Sequence, residues 1–338
     1  MKQSDKDTAR EVLTLLLDAQ KAGTVRSTFK RLAPGEDGRI RTVLSPGGTE
    51  TGRLSSGTSF LDKSTNLQNL AKKVAKLDPL YIVRAIIVSD PGRILWAADY
   101  SAAERVLLAY IARERRVIKQ IEAGINTYKW FAGHLFDMPD WESLPKDDPR
   151  YHASKTISLA ADRGVGWKTL MTNTNKDTDL TGLSFTAKEA KRGINLFHSL
   201  YPGYRRYFAE VEDELRQTSE LVNICGRKRI FFARRRSRSD WESLVKEGVS
   251  FQAQAIGDII NARLRQIHEK YDPDPLRLLL QIHDEILGDC AKDKFTYMKV
   301  ARIVKKVMEQ PIDIFGKEVV IPAEVSVGYN WAEMEQVL

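Results

Sequence analysis

The stretch LRLLLQIHDEILG, residues 276–288, decides how the rest of the chain is read. An apolar run leads into His283, Asp284 and Glu285, and apolar residues resume at Ile286. Short apolar runs bounded by turn residues read as buried strands. Residues 276–290 are therefore predicted as a hydrophobic hairpin with the acids at its tip. A second such site lies at 94–101, ILWAADYS, where a short apolar strand from Ile94 to Ala98 runs into Asp99. A helix is expected from Ala102, because Val106, Leu107, Tyr110 and Ile111 recur at helical spacing. Buried carboxylates are rare unless paired or metal-bound, although Asp is also common in a solvent-facing turn. Each site alone fits the turn reading. Together, one carboxylate after a strand and another at a hairpin tip resemble half-sites for two divalent ions, which need oxygen ligands that bridge them at ~3.5–4 Å.

Outward from these strands the pattern is mostly helical. Residues 8–22 read as an amphipathic helix with Val12, Leu13, Leu16, Leu17 and Ala19 on one side. Residues 33–59 are rich in Gly, Ser, Thr and Pro and predict loops and short strands. An acidic, Pro-rich break at 137–150 precedes helical stretches near 152–172 and 186–219, the second punctuated by Pro202–Gly203. Helix returns at 241–270, and a closing helix is expected over 292–310. No internal repeat is present.

The 338 residues are long for one compact domain by the rough ~150-residue prior, so two or three lobes are expected. Lys and Arg number 53 against 45 Asp and Glu, a surplus of +8 that favours a polyanionic partner. Almost all of that surplus sits in GRKRIFFARRRSR, residues 226–238, which holds seven basic residues and no acid. Such a run is often a solvated loop, but Phe231 and Phe232 inside it suit a phosphate backbone with bases nearby. No apolar run approaches the ~18–20 residues of a membrane span. Asp5, Asp7, Glu11 and Asp18 suit neither a secretory signal nor a transit peptide. Two cysteines, Cys225 and Cys290, build no disulfide framework or Cys-rich zinc site. The expected location is cytoplasmic, or the host cytoplasm if the chain is phage-encoded, with no membrane partner.

The ordered motifs then resemble the polymerase core of family A DNA polymerases. TGRLSS at 51–56 and NLQN at 66–69 resemble that family's entry to the palm. DYSAAER at 99–105 resembles its motif A, KTISLAADRG at 155–164 stands in the place of motif B, and HDE at 283–285 resembles motif C. YPGY at 201–204, GRKR at 226–229 and QAQAIGDI at 252–259 fall between them in the family's order. Any one motif is weak; the series in order, from about residue 26 to the C-terminus, is specific. The resemblance implies an α+β right-hand polymerase with an antiparallel-sheet palm, helical fingers and a truncated thumb. The implied division is a thumb remnant and entry segment over 1–50, palm over 51–112, fingers over 113–245 and palm again over 246–338.

The same resemblance implies a template-directed DNA polymerase that adds dNTPs to a primer 3′ end by phosphoryl transfer with two Mg²⁺ ions, Mn²⁺ being equally suited to oxygen ligands. Asp99 and Asp284 would hold the metals with the carbonyl of Tyr100, and Glu285 would lie nearby. Glu104 stands at the family's steric gate against a ribose 2′-hydroxyl. Lys155 would meet the triphosphate and could donate a proton to the leaving pyrophosphate. Arg53, Gln254 and His283 would contact the primer–template near its growing end, with Asn66, Gln68 and Asn69 supporting the duplex and the nucleotide pocket, and Arg227 joining the DNA-binding set. Gln252 is the alternative to Gln254. Motif B departs from the family: Tyr151 stands for its arginine, with Arg150 or His152 as substitutes, Leu159 for its stacking aromatic and Arg163 for its tyrosine. One thumb-like helix around 8–30 is all that precedes the palm entry, so no 3′–5′ exonuclease is expected in this chain, and a partner or missing N-terminal thumb or exonuclease module is. A single-subunit RNA polymerase-like enzyme and a non-catalytic DNA-binding protein derived from a polymerase are the competing readings.

Overall fold

Residues 93–100 form the central strand of a five-stranded sheet, flanked on both sides by antiparallel partners. In a computed structural model this sheet comprises β1 (Arg93–Tyr100), β2 (Leu276–Ile282), β3 (Glu285–Ala291), β4 (Ala323–Gly328) and β5 (Glu335–Gln336). Their order across the sheet is β5-β4-β1-β3-β2. The structure describes residues 34–57, 65–68, 83–176, 182–232 and 237–338, with residues 19, 23, 26, 27, 30, 32, 70 and 178. The helix expected over 8–22 lies mostly outside the described residues. Asn69 and Arg234–Arg236 of the basic run lie outside them entirely.

In chain order the helices used below are α1 (Ala103–Ile111), α2 (Arg115–Glu122), α3 (Thr127–Leu135), α4 (Pro149–Ala161) and α5 (Trp167–Lys176). They continue with α6 (Ala187–Leu200), α7 (Pro202–Thr218), α8 (Arg238–Ala253), α9 (Ile256–Tyr271) and α10 (Lys294–Met308). The chain forms two compact units. The first is Met1–Ser101, Ile260–Gln310 and Pro322–Leu338; the second is Ala102–Ile259 with Pro311–Ile321.

In the first unit the predicted hairpin is β2–β3, turning at His283 and Asp284. Helix α10, capped at its start by the Asp293 side chain, packs on β1, β3 and β4 through Val300, Ala301, Val304 and Val307. On this side the Tyr100 hydroxyl donates to the carbonyl of Met308 at 2.7 Å. Leu95 and Ala97 belong to a separate cluster with Leu280, Ile282, Leu287 and Trp331. Cover on both faces explains why these strands read as apolar runs and not as alternation. Gly288 sits opposite Trp96 in the register. A Cβ at Gly288 would come within 2.3 Å of both the Trp96 ring and the Arg277 carbonyl, so only glycine lets the fully buried indole lie there.

The second unit is helical around an aromatic core of Phe131, Phe197, Tyr201 and Tyr204. Helix α4 begins with Pro149 behind an Asp148 cap, and α6 opens on a capping box between Thr186 and Glu189. The two helices meet where Gly193 lies against Ile157; a Cβ there would stand 2.7 Å from the Ile157 side chain. The helical stretches expected over 152–172, 186–219 and 241–270 are each two helices. The first is broken where Gly164 takes φ +71°, and the second at Pro202, which starts α7. The third breaks at Gln254 and Ala255 between α8 and α9.

The basic run takes a different form from a bare cationic stripe. Lys228–Ile230 pairs with Glu220–Val222 as a small hairpin. Lys228 lies 3.1 Å from Glu220 and Arg238 lies 3.1 Å from Glu242, while Arg229 pairs with Glu247. Phe231 is a core residue at 3% exposure, with Arg229 4.5 Å from its ring centre; Phe232, at 86%, is the exposed aromatic of the two. Among the described residues this run's cations are thus largely matched by acids that lie outside the run.

His198 on α6 is buried beside Phe197 and Phe208, and burial, reinforced by Arg205, pulls its pKa down to about 4. The unfolded chain takes up this proton near the ordinary value of 6.5, before the native chain does. Stability is therefore expected to fall as pH drops from 6.5 toward 4, by about 3 kcal/mol from this group at full titration. Urea unfolding at several pH values checks this. His198→Phe should flatten that limb, and an unchanged slope would exclude the assignment.

Candidate active site

The first unit gathers acids along one line. Glu324, Asp99 and Glu285 are direct register partners across β4, β1 and β3, so their side chains leave the same face of the sheet. Asp284 follows at the turn, and the Tyr100 N–H donates to the Asp284 carbonyl at 3.3 Å, which ties the two acidic backbones together. Asp99 and Asp284 are both partly exposed, Glu285 is buried and Glu324 is exposed. Like charges set directly opposite one another in a sheet are unfavourable. Positive charge nearby eases such a row.

Part of that charge comes from a residue that sequence reasoning missed. Arg84 is buried, donates through Nε and Nη2 to the Leu70 carbonyl at 3.1 and 2.7 Å, and lies 4.0 Å over the Trp331 ring. Burial lowers its pKa, while Glu285 and Asp99 work in the opposite direction. Trp331, also missed, donates its indole N–H to Glu285 at 3.3 Å. The available signal was an arginine interrupting the apolar run YIVRAII at 81–87.

A further missed residue braces the turn itself. His283 is exposed and has φ +54°, a left-handed conformation costly for a residue with a Cβ. Its carbonyl accepts from the buried Gln281 side chain, and Gln68 donates to the Gln281 carbonyl at 3.0 Å. Gln68 is thus engaged with the strand beneath the acidic turn. Arg53 and Asn66 are both partly buried. The loop bearing Arg53 is held by Asn261 of α9, whose amide donates to the Gly52 carbonyl at 2.7 Å.

The second unit carries the other residues singled out in the sequence. Lys155, Leu159 and Arg163 follow at four-residue intervals from α4 into the turn that ends it, and such spacing keeps side chains on one face. Lys155 is exposed and lies 5.9 Å from the Tyr128 ring centre. Leu159 packs partly against Tyr128, Ala132, Leu144 and Tyr151. Tyr151 is buried at 7%, edge-on to Tyr128, so it is a core residue and no substitute for an arginine. Arg150 is exposed and closes back on Asp148 at 2.7 Å; His152 is exposed.

Arg163 pairs with Glu104 in the first turn of α1. Next to it, Arg105 meets Asp162 at 3.1 Å with both side chains 2% exposed, and donates to Thr127 at 2.8 Å. Arg227 grips Asp258 through Nε and Nη2, the shorter bond being 2.6 Å. Gln252 is buried and donates to the Val222 carbonyl at 3.0 Å, whereas Gln254, at the end of α8, keeps part of its surface exposed.

With this geometry in place, comparison with known proteins is specific. The family model described as DNA polymerase family A matches residues 2–333. The chain is 27% identical over 330 residues to the DNA polymerase I of Deinococcus radiodurans, and 26% identical over 331 residues to that of Chloroflexus aurantiacus. Each alignment takes in 96% of this chain and 32% of the relative, so the chain spans about a third of the length of these proteins. In fold, it is similar to the POL domain of Pol1 from M. smegmatis, solved in complex with DNA primer-template and dNTP. That likeness has a TM-score of 0.79 at 23% identity, covering 97% of this chain and 54% of the other. Among the described residues no helix is long and apolar enough to cross a membrane.

Proposed function

The chain belongs to DNA polymerase family A, and from that premise we propose that it carries out template-directed DNA synthesis, adding dNTPs to the 3′ end of a primer. One observation carries the reading: Asp99 and Asp284, the acids of its motif A and motif C, come together where the central strand ends, Tyr100, the residue after Asp99, donating its N–H to the Asp284 carbonyl. In this reading residues 51–112 and 246–338 serve as palm and 113–245 as fingers, with Mg²⁺, primer–template DNA and dNTPs as the ligands. A further segment or accessory protein completes the grip on DNA.

The donor set fits Mg²⁺. Asp99, Asp284 and the Tyr100 carbonyl offer only hard oxygens, and the opposed carboxylates favour a cation. Among the described residues no three His, Cys, Asp or Glu side chains form a closed metal cage. Mg²⁺ characteristically takes one or two carboxylates and completes its octahedron with water and substrate phosphates. When bound, two such ions supply Lewis-acid stabilisation of the attacking and leaving oxygens.

The protein's own part is positioning. The Gln68–Gln281–His283 brace holds the turn that presents Asp284, and Arg84 with Trp331 fixes Glu285. Exposed Lys155 is free to reach a triphosphate and to supply a proton to departing pyrophosphate. Glu104 excludes a ribose 2′-hydroxyl, while Leu159 offers an aliphatic surface to the incoming base. Exposed His283, with Arg53, Asn66 and Gln254, serves the DNA, and the partial exposure of Gln254 supports it over buried Gln252. Arg227, held by Asp258, contributes by fixing its hairpin and only secondarily by charge.

Primer extension on a labelled primer–template with Mg²⁺ and dNTPs tests the proposal, beside an Asp99→Ala control. Extension by the wild-type protein that disappears in the control is the expected result. DNA binding without any extension by the wild-type protein would overturn it. The same gels should show no shortening of the primer when dNTPs are omitted; a shortened primer would mean that these residues also carry 3′–5′ exonuclease activity.

A further inference from the structure

We infer that Arg163 sets the sugar selectivity of this site by holding the Glu104 carboxylate in place, and so acts as a positioning residue for the gate. The inference rests on the polymerase reading above and goes beyond it, because that reading gives Arg163 no role of its own.

The geometry consists of two crossed ion pairs. The start of α1 carries Glu104 and Arg105; the end of α4 is followed by Asp162 and Arg163. Arg163 pairs with Glu104, and Arg105 pairs with Asp162, so each dipeptide offers one acid and one base to the other. The two pairs differ in environment. Arg105–Asp162 is sealed, with 2% exposure on each side chain, and Arg105 is further tied to Thr127 and stands 5.0 Å from the Tyr128 ring centre. It fixes the approach of the two helices. Arg163–Glu104, with side chains 28% and 24% exposed, lies where ligand and water can reach.

Arg163 is itself oriented from behind. Its Nη1 donates to the Leu159 carbonyl at 3.2 Å, one helical turn earlier, while Nη2 addresses Glu104. One planar guanidinium thereby links the backbone of α4 to the carboxylate of α1. A guanidinium stays charged at all working pH values and holds a carboxylate directionally. Loss of that directional hold widens the set of rotamers open to the glutamate, some of which vacate the space that a 2′-hydroxyl needs. Because the two bonds Arg163 makes run to Glu104 and to the Leu159 carbonyl, selectivity is what its loss should change first, ahead of nucleotide affinity.

The test is a double-mutant cycle read as the ratio of kcat/KM for a dNTP to that for the matching NTP. Glu104→Ala sets the fully opened limit. Arg163→Met keeps the aliphatic stem, and Arg163→Lys keeps the charge without the fork; thermal unfolding of each confirms that it is folded. Arg163→Met is expected to lower the ratio about tenfold or more, within the range that small changes in a pocket produce. In the Glu104→Ala background it should have no further effect, and Arg163→Lys should restore part of the selectivity. An equal loss of kcat/KM for both sugars, with the ratio unchanged, would overturn the inference and make Arg163 a direct triphosphate ligand. Additive losses of selectivity in the cycle would overturn it as well. Absence of DNA synthesis by the wild-type protein would remove the polymerase reading and this inference with it, so the two failures are distinct.

Discussion

Asp284→Asn is expected to lower kcat for primer extension by about 10³-fold or more, equivalent to about 4 kcal/mol in the activation barrier, while leaving primer–template affinity nearly unchanged. The substitution is close to isosteric, and Asp284 sits at a partly exposed turn, so the hairpin should form as before. What is lost is one full negative charge from a row in which Glu324, Asp99 and Glu285 already stand opposite one another. A cation held by that charge is weakened directly. DNA affinity arises mainly from cation–phosphate contacts and has no reason to follow. Single-turnover extension and a salt-controlled binding titration, run in parallel, separate the two quantities. Extension at the wild-type rate would remove Asp284 from the metal-binding role, and a matching collapse of DNA binding would show that the turn itself had failed.

Arg105→Met is expected to destabilise the second unit by about 3–5 kcal/mol, the usual cost of stranding one member of a buried ion pair. Asp162 would be left at 2% exposure with its ion-pair partner gone, and Arg163, the other cation that acts on it, is already engaged with Glu104. Thermal unfolding should show the transition lowered by about 10 °C or more for a unit of this size. Combining Arg105→Met with Asp162→Leu should recover most of the loss, since apolar residues often replace a buried pair at little cost. A single substitution costing less than about 1 kcal/mol would mean that water reaches the pair and that the crossed arrangement is not a fixed joint.

The acidic sites were legible because burying charge is costly. A carboxylate set against an apolar strand stands out in a sequence, and both Asp99 and Asp284 lie at the ends of such strands in the fold. The β2–β3 hairpin was legible for the same reason. The helix break at Pro202 was legible from Pro202–Gly203, whereas the one at Gly164 was less visible, because the apolar period continues across it and the interruption is one residue's backbone requirement. Arg84, Trp331 and Gln281 gave little signal. Each is a single side chain whose role comes from partners far along the chain, as in the contact between Arg84 and Trp331.

The basic run shows the reverse case, a strong local signal whose partners the sequence does not reveal. Seven cations without an acid read as one surface, yet Arg227, Lys228, Arg229 and Arg238 meet Asp258, Glu220, Glu247 and Glu242. Charge in sequence counts only near neighbours, whereas Coulomb interactions act on distance in space.

The amino-acid sequence alone therefore determined the family and the α+β class, because those rest on local pattern and on the order of motifs. Tertiary structure decided which charges meet. It set Asp99 opposite Glu285, matched Arg163 to Glu104 and sealed Arg105 with Asp162, since partners 59 and 57 residues apart meet only when helices pack.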